Sequence, residues 1–254
     1  MLVILVCDTQ IPDLEGWGNF GTQTRRLLEQ ANYLGDISEY VICDKQYDAV
    51  YAHLDSRQDI DAIVLTGSRS DSFGDDEWIE ALVQFINPYC GKIPLIGICF
   101  GHQIIGRMMG LKSIRNPLGW ELGRPNFKRN EELDPSIFES LPSTISMTEF
   151  HQDVVQSPDD PEIQIIGSTT LCSNQGMYHS SKMIFTVQGH PEFTDDFSRS
   201  LLLIMVHEGK ISHDKYIKAL KSFSKTTNHG EIIGQAMARF LARHKPTTFR
   251  ASLN

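Results

Sequence analysis

A cysteine with a glycine two residues to either side, at the end of an apolar run, is the side chain in this sequence best placed for covalent chemistry. Ile93-Pro94-Leu95-Ile96 leads into Gly97-Ile98-Cys99-Phe100-Gly101-His102-Gln103. The run predicts a strand, and the residues after the cysteine predict a helix from about Gln103 to Met109, so Cys99 falls on a strand-to-helix elbow. Such a turn is sharp, and small residues on both sides of the nucleophile let the backbone fold back without a Cβ clash. The helix would aim its free N–H groups and the positive end of its dipole at the sulfur, an arrangement that favours thiolate. Cys99 alone also fits a buried structural thiol, because free cysteine is among the most buried residue types. The elbow glycines favour the nucleophile.

A cysteine nucleophile needs a base, and the base needs an orienting group. Gln188-Gly189-His190-Pro191-Glu192 follows the apolar run Met183–Val187, which places His190 at a strand end. Proline keeps the residue before it extended, and in an extended stretch side chains two apart project to the same side. His190 and Glu192 are therefore predicted to act together. Leu65-Thr66-Gly67-Ser68 ends another predicted strand with a glycine turn able to aim backbone N–H groups at a carbonyl oxygen. The N–H groups of Ser68 and Phe100 are the candidate oxyanion donors. All these pieces lie at strand ends, where open parallel sheets place their ligands.

Gly-Ile-Cys-x-Gly-His-Gln, followed much later by Gly-His-Pro-Glu, resembles the class I glutamine amidotransferase family. In that family the cysteine attacks a γ-glutamyl carboxamide, the histidine is general base and acid, and the glutamate orients it. The resemblance carries those roles to Cys99, His190 and Glu192. Thr66-Gly67-Ser68 with Asp71-Ser72-Phe73-Gly74-Asp75-Asp76, together with Phe150-His151-Gln152-Asp153, is most similar to stand-alone members, including γ-glutamyl peptidases. It implies that Gly67, Ser68, Gln103, His151 and Asp153 hold the glutamyl end of the substrate. It also implies an α/β, flavodoxin-like three-layer class I glutamine amidotransferase fold with a mostly parallel central sheet. Residues 1–195 would form the catalytic domain, and 196–254 a C-terminal helical extension packed on it.

The elements required by these residues are legible in outline. Leu2–Val6, Tyr40–Cys43, Ala62–Leu65 and Pro94–Ile98 are short β-branched runs separated by helix-length segments, the pattern of a parallel sheet with crossover helices. Thr22–Asn32 reads as a helix, as does the segment containing Trp78, Ile79, Leu82, Val83, Phe85 and Ile86, behind acidic residues suited to a first turn. Ser113–Arg115, Ile145–Phe150, Ile163–Ser168 and Met183–Val187 are short runs cut by Pro and Gly and predict a β-rich second half. Phe197–Glu208, His213–Phe223 and Glu231–His244 are helical in period. Trp17–Gly21 and Trp120–Gly123 read as glycine-punctuated loops, plain connections in preference to a site rim.

Composition bounds the partners. A net charge of −9 with no Lys/Arg-rich run disfavours nucleic acid and anionic membranes. Five cysteines without Cys-x-x-Cys or zinc-ligand spacing suit free thiols in a reducing compartment, and no apolar run approaches the ~18 residues of a membrane span. A cytoplasmic enzyme without metal or cofactor is expected, and the absence of a Gly-x-x-x-x-Gly-Lys loop gives no indication of ATP use. The residues after the triad are too few for a second catalytic domain, so no fused synthetase is expected and hydrolysis of a γ-glutamyl peptide is preferred. The alternatives are a glutaminase subunit feeding ammonia to a separate synthetase subunit, or a non-catalytic regulatory module of the same fold.

Overall fold

The computed structural model describes residues 1–244, so the last residues of the expected C-terminal extension, 245–254, lie outside the described part. Eight helices and fourteen strands are assigned there. The first half alternates as its apolar runs predict: β1 (Leu2–Val6), α1 (Phe20–Gln30), β2 (Ile37–Val41), α2 (Tyr47–Asp55), β3 (Ala62–Leu65), α3 (Glu77–Ile86), β4 (Leu95–Ile98) and α4 (Phe100–Met108). Short strands follow: β5 (Ser113–Arg115), β6 (Glu121–Gly123), β7 (Asn126–Arg129), then α5 (Pro135–Phe138), β8 (Thr144–Ser146), β9 (Glu149–His151) and β10 (Asp153–Val155). Next come β11 (Gln164–Ile165), β12 (Gly167–Ser168), β13 (Gly176–His179) and β14 (Ile184–Val187), and the described chain closes with α6 (Asp195–His207), α7 (His213–Phe223) and α8 (Gly230–Arg243).

The central sheet runs β11-β13-β14-β4-β3-β1-β2. Its five strands from β14 to β2 are parallel, and β13 and β11 add antiparallel at one edge. β1, β3, β4 and β14 are buried along their whole length, which is why they read as unbroken apolar runs. Alternate side chains enter separate cores. Leu2, Ile4, Val6, Val64, Ile96 and Ile98 pack with α1 and α8, while Val3, Leu5, Ile63, Leu65 and Leu95 pack with α2, α3 and α4. The result is a three-layer α/β fold with a mostly parallel sheet.

Several boundaries differ from expectation: α1 spans Phe20–Gln30 and not Thr22–Asn32, and Glu121–Gly123, expected in a loop, is the strand β6. Four more differ for physical reasons. β2 spans Ile37–Val41 and not Tyr40–Cys43, because this edge strand is half exposed and mixes Ser and Glu with its apolar residues. The helix after Cys99 starts at Phe100 and not Gln103; Gln103 N–H already donates to Cys99 O at 3.1 Å, the first helical bond. Ile145–Phe150 is two strands: β8 pairs with β7, while β9 pairs with β6. Ile163–Ser168 likewise divides, β11 joining the main sheet and β12 pairing with β7. The hairpin partner β13 was not anticipated, and it makes one edge of the sheet antiparallel.

A third apolar cluster lies over the C-terminal ends of the parallel strands. It joins Ile11, Leu14 and Phe20 to Phe150, Phe193, Phe197 and residues of α6 and α7. Arg124 ties this layer down: its buried guanidinium pairs with Asp195 at the start of α6 and lies 5.0 Å from the ring centroid of Phe223 at the end of α7.

Candidate active site

β3, β4 and β14 are neighbours in the sheet, so Thr66-Gly67-Ser68, Cys99 and Gln188-Gly189-His190 emerge side by side from their ends. Cys99 has φ 51° and ψ −99°, a left-handed conformation that a non-glycine residue holds only where its surroundings enforce it. They do so here. Cys99 N–H donates to Val187 O at 2.9 Å and Gly101 N–H to Thr66 O at 3.2 Å, which pins both sides of the turn to adjacent strands. Gly97 and Gly101 are small because the elbow closes on itself. A Cβ at Gly97 would meet the Gly101 backbone, and one at Gly101 would overlap Leu65 O.

His190 is buried, and its Nδ1 lies 2.8 Å from Glu192 Oε1. A carboxylate only accepts, so Nδ1–H is the donor and Nε2 is left as the basic nitrogen. The ring is stacked on Phe193, with centroids 4.0 Å apart and planes 10° apart, and the backbone N–H of His190 donates to Thr148 O at 2.7 Å. Gly67 sits between imidazole and thiol. A Cβ on Gly67 would lie 2.8 Å from His190 Cε1 and 3.8 Å from Cys99 Cβ. The hydrogen bond received by Cys99 Sγ comes from Gln188 Nε2 at 3.6 Å, not from His190.

Burial pushes the Cys99 thiol well above its ordinary pKa, and the negative charges of Glu149, Glu192 and Asp153 push the same way against the Phe100 N–H. These act against the helix start, which on its own favours thiolate. The partial charge of a helix end is outweighed by desolvation and three carboxylates.

Ser68, Cys99, Gln103, His151, Asp153 and His190 line one cavity of about 380 Å³. Phe100 does not line it; its ring turns into the core against Trp78, with centroids 5.5 Å apart. Gln103 Nε2 donates to Asp153 O at 3.2 Å and to Gln188 Oε1 at 3.3 Å. His151 reaches the cavity with both nitrogens already engaged. Its Nδ1 lies 3.0 Å from Asp153 O, and its Nε2 lies 3.0 Å from Glu121 Oε2 and 3.3 Å from Glu149 Oε2. The Asp153 carbonyl only accepts, and the bonds to Glu121 hold its carboxyl below the usual range, so both nitrogens carry protons and the ring is an imidazolium. Burial alone would lower the pKa of His151, but its bonds to Glu121 and Glu149 outweigh burial and raise it to about 9. Burial raises Glu149 to about 7 despite the His151 bond, and raises Asp153 to about 6 against the pull of Arg115.

Glu121, His151 and Cys172 bring ligand-type atoms within 4.8 Å of one another. Those atoms already satisfy one another or their neighbours: Thr169 and Gln175 donate to Glu121 at 2.6 and 2.7 Å, and Cys172 Sγ donates to Asn174 O at 3.2 Å. The cluster reads as a closed ionic network. His102, next to the elbow, bonds Thr186 Oγ1 through Nδ1 at 2.8 Å and is held neutral by burial.

Several residues of this site escaped sequence reading. Gln188 shares the two-residue alternation that links His190 to Glu192, so the same rule would have found it. Phe20 and Trp120, in segments read as plain loops, line the cavity. Asp8 holds the loop after β3: its carboxylate accepts from Arg69 N, Nε and Nη2, each at 2.8 Å.

A doubly wound sheet with a strained cysteine elbow at its carboxyl edge defines an α/β thiol-site protein, the architecture to which the sequence comparisons attach a family. Residues 19–203 match "Glutamine amidotransferase class-I"; the chain belongs to the class I glutamine amidotransferase family. A glutamine amidotransferase-like protein of Schizosaccharomyces pombe is 26% identical over 250 residues, covering 94% of this chain and 98% of that one. Gamma-glutamyl peptidase 3 of Arabidopsis thaliana is 29% identical over 189 residues, 70% of this chain and 73% of the other. The glutamine-hydrolysing GMP synthase subunit of Thermoplasma acidophilum is 28% identical over 137 residues, 52% of this chain and 64% of the other. The crystal structure of a GMP synthase subunit protein from that organism shares the fold, with 21% identity, 96% and 94% coverage and a TM-score of 0.62. Among the described residues no helix is long and apolar enough to cross a membrane.

Proposed function

We propose that the chain hydrolyses a γ-glutamyl amide bond through a γ-glutamyl thioester on Cys99. The observation that carries this reading is the elbow cysteine that borders the same glycine, Gly67, as an imidazole whose Nδ1 is held by Glu192. His190 Nε2 takes the thiol proton and the sulfur attacks the γ-carbonyl carbon. The resulting oxyanion is received by the N–H groups of Ser68 and Phe100. The C–N bond then breaks as His190 returns its proton to the departing amine. Water, deprotonated by His190, adds to the thioester carbon, and collapse releases glutamate and restores the thiol. Glu192 keeps the imidazole in the working tautomer throughout.

Gln103 and Asp153, on the polar side of the cavity, would hold the charged α-end of the glutamyl group. His151 would act through Asp153, whose carbonyl it fixes, because it has no nitrogen to spare. The kinship with a glutamine-hydrolysing GMP synthase subunit supports a second reading, delivery of ammonia from glutamine to a separate synthetase subunit. Incubation with γ-glutamyl substrates, with glutamate release and the intact mass of Cys99 followed together, tests both. A mass increase of one γ-glutamyl group on the wild type, absent in Cys99→Ser, is expected. Full activity of Cys99→Ser on every γ-glutamyl substrate would refute the mechanism.

A further inference from the structure

The cavity has two unlike walls, and the position of His190 decides which receives the leaving group. Resting on the γ-glutamyl reading above, the amine departs toward the group that protonates it. The His190 ring lies on Phe193 and faces Phe20, with centroids 6.3 Å apart. Both belong to the apolar cluster that continues along the cavity as Ile11, Leu201, Ile204 and Met205. The rest of the lining includes the polar side chains Ser68, Gln103, Arg115 and Asp153.

Charge at the apolar end is equally informative. Asp13, Glu208 and Lys210 also line the cavity, close in the chain to Ile11 and Met205, and Lys210 Nζ is 2.7 Å from Glu208 Oε2, so the three carry one net negative charge. Arg69 is committed to Asp8 at 2.8 Å, and Arg115 to Asp71 and Asp153 at 2.6 and 2.9 Å. Each Lys or Arg lining the cavity among the described residues already has a carboxylate. A leaving group bearing its own carboxylate would arrive without a partner, beside a net negative charge. Ammonia, the leaving group of glutamine, would leave the apolar wall unfilled. A cavity of about 380 Å³ is in the range that holds a drug-sized ligand, about 300–1,000 Å³.

We infer that the preferred substrate is the γ-glutamyl amide of an apolar amine that lacks a carboxylate, rather than a γ-glutamyl peptide with a free terminus or glutamine. Hydrolysis consumes one water, breaks the amide C–N bond and yields glutamate and the free amine, whose nitrogen takes its proton from His190.

The matched pair that isolates the claim is γ-glutamyl-phenethylamide and γ-glutamyl-phenylalanine, which share ring and spacer and differ by the carboxylate. Glutamate release from both and from glutamine is measured with the wild type and with Glu208→Lys. The phenethylamide should have the highest kcat/KM, about tenfold or more above each of the others. In Glu208→Lys, which makes that end positive, the ratio of phenethylamide to phenylalanine should fall. Phenylalanine hydrolysed as well as the phenethylamide, or glutamine hydrolysed fastest, would overturn the inference and leave the γ-glutamyl reading standing. No glutamate from any of the three would remove that reading and the inference with it.

Discussion

Two buried histidines flank the thiol against glutamates, and they are built for opposite purposes. His190 has one carboxylate, 2.8 Å from Nδ1, so Nε2 stays available as a base. His151 has two carboxylates and a carbonyl, so neither nitrogen can release or take a proton without breaking a bond. In the mechanism proposed above, the number of acceptors around each buried imidazole, more than burial itself, distinguishes the base from the fixed cation. Both rings are shielded from water to a similar degree.

The largest effects should separate the two rings. His190→Ala is expected to lower kcat/KM for any γ-glutamyl substrate by about 10³-fold or more, and to cost less stability than His151→Ala, because it strands one buried glutamate and not two. His151→Ala should act mainly on the fold. It strands Glu121 and Glu149 without their cation, a loss of about 3–5 kcal/mol, or a fall in Tm on the order of 10 °C for a chain of this size. Paired melting curves and turnover assays check both, and a His151→Ala protein that melts like wild type would break the comparison.

A smaller effect tests how closely the proton carrier is seated. Gly67→Ala would put a methyl group 2.8 Å from His190 Cε1, too close unless the imidazole shifts. Because small misplacements of catalytic groups can cost ~10²-fold, a fall of about 10- to 100-fold in kcat is expected. Circular dichroism should report an intact fold. Unchanged kcat would show that the ring has room to move.

The two histidines were not equally legible. The elbow at Cys99 and the segment His190-Pro191-Glu192 are local patterns: glycine spacing, a proline and two-residue alternation place side chains without knowledge of the rest of the chain. The parallel strands were legible for a related reason, since each is buried on both faces and so reads as a continuous apolar run. The network around His151 depends on β6 pairing with β9, and on a connection before β13 that supplies Thr169 and Gln175. No spacing rule joins Glu121 to His151 across 30 residues. The depth of burial was hidden for the same reason, and with it the upward push on the Cys99 thiol. A helix start is visible in sequence, whereas three carboxylates converging from separate segments are not.

The subtlest prediction concerns charge balance within the His151 network. One imidazolium faces two carboxylates, and burial leaves Glu149 at about 7, above the ordinary glutamate value near 4.5. A folded-state pKa above the unfolded one means that the folded protein holds the proton more tightly. The stabilising contribution is then complete below pH ~4.5 and lost as pH rises through about 7. His151, raised from 6.5 to about 9, has the same sign: its contribution is complete below pH ~6.5 and lost as pH rises through about 9. Both groups predict that stability declines from acid to alkaline pH in two overlapping stages. Glu149→Gln removes the first stage and keeps the size of the side chain. Its Tm should therefore vary less than that of the wild type between pH ~5 and ~6, while the later decline begins at lower pH, because Glu149 is one of the two carboxylates that raise His151. Identical Tm profiles for the two proteins across pH ~5 to ~10 would show that Glu149 does not hold the extra proton, and that Glu121 alone balances the fixed cation.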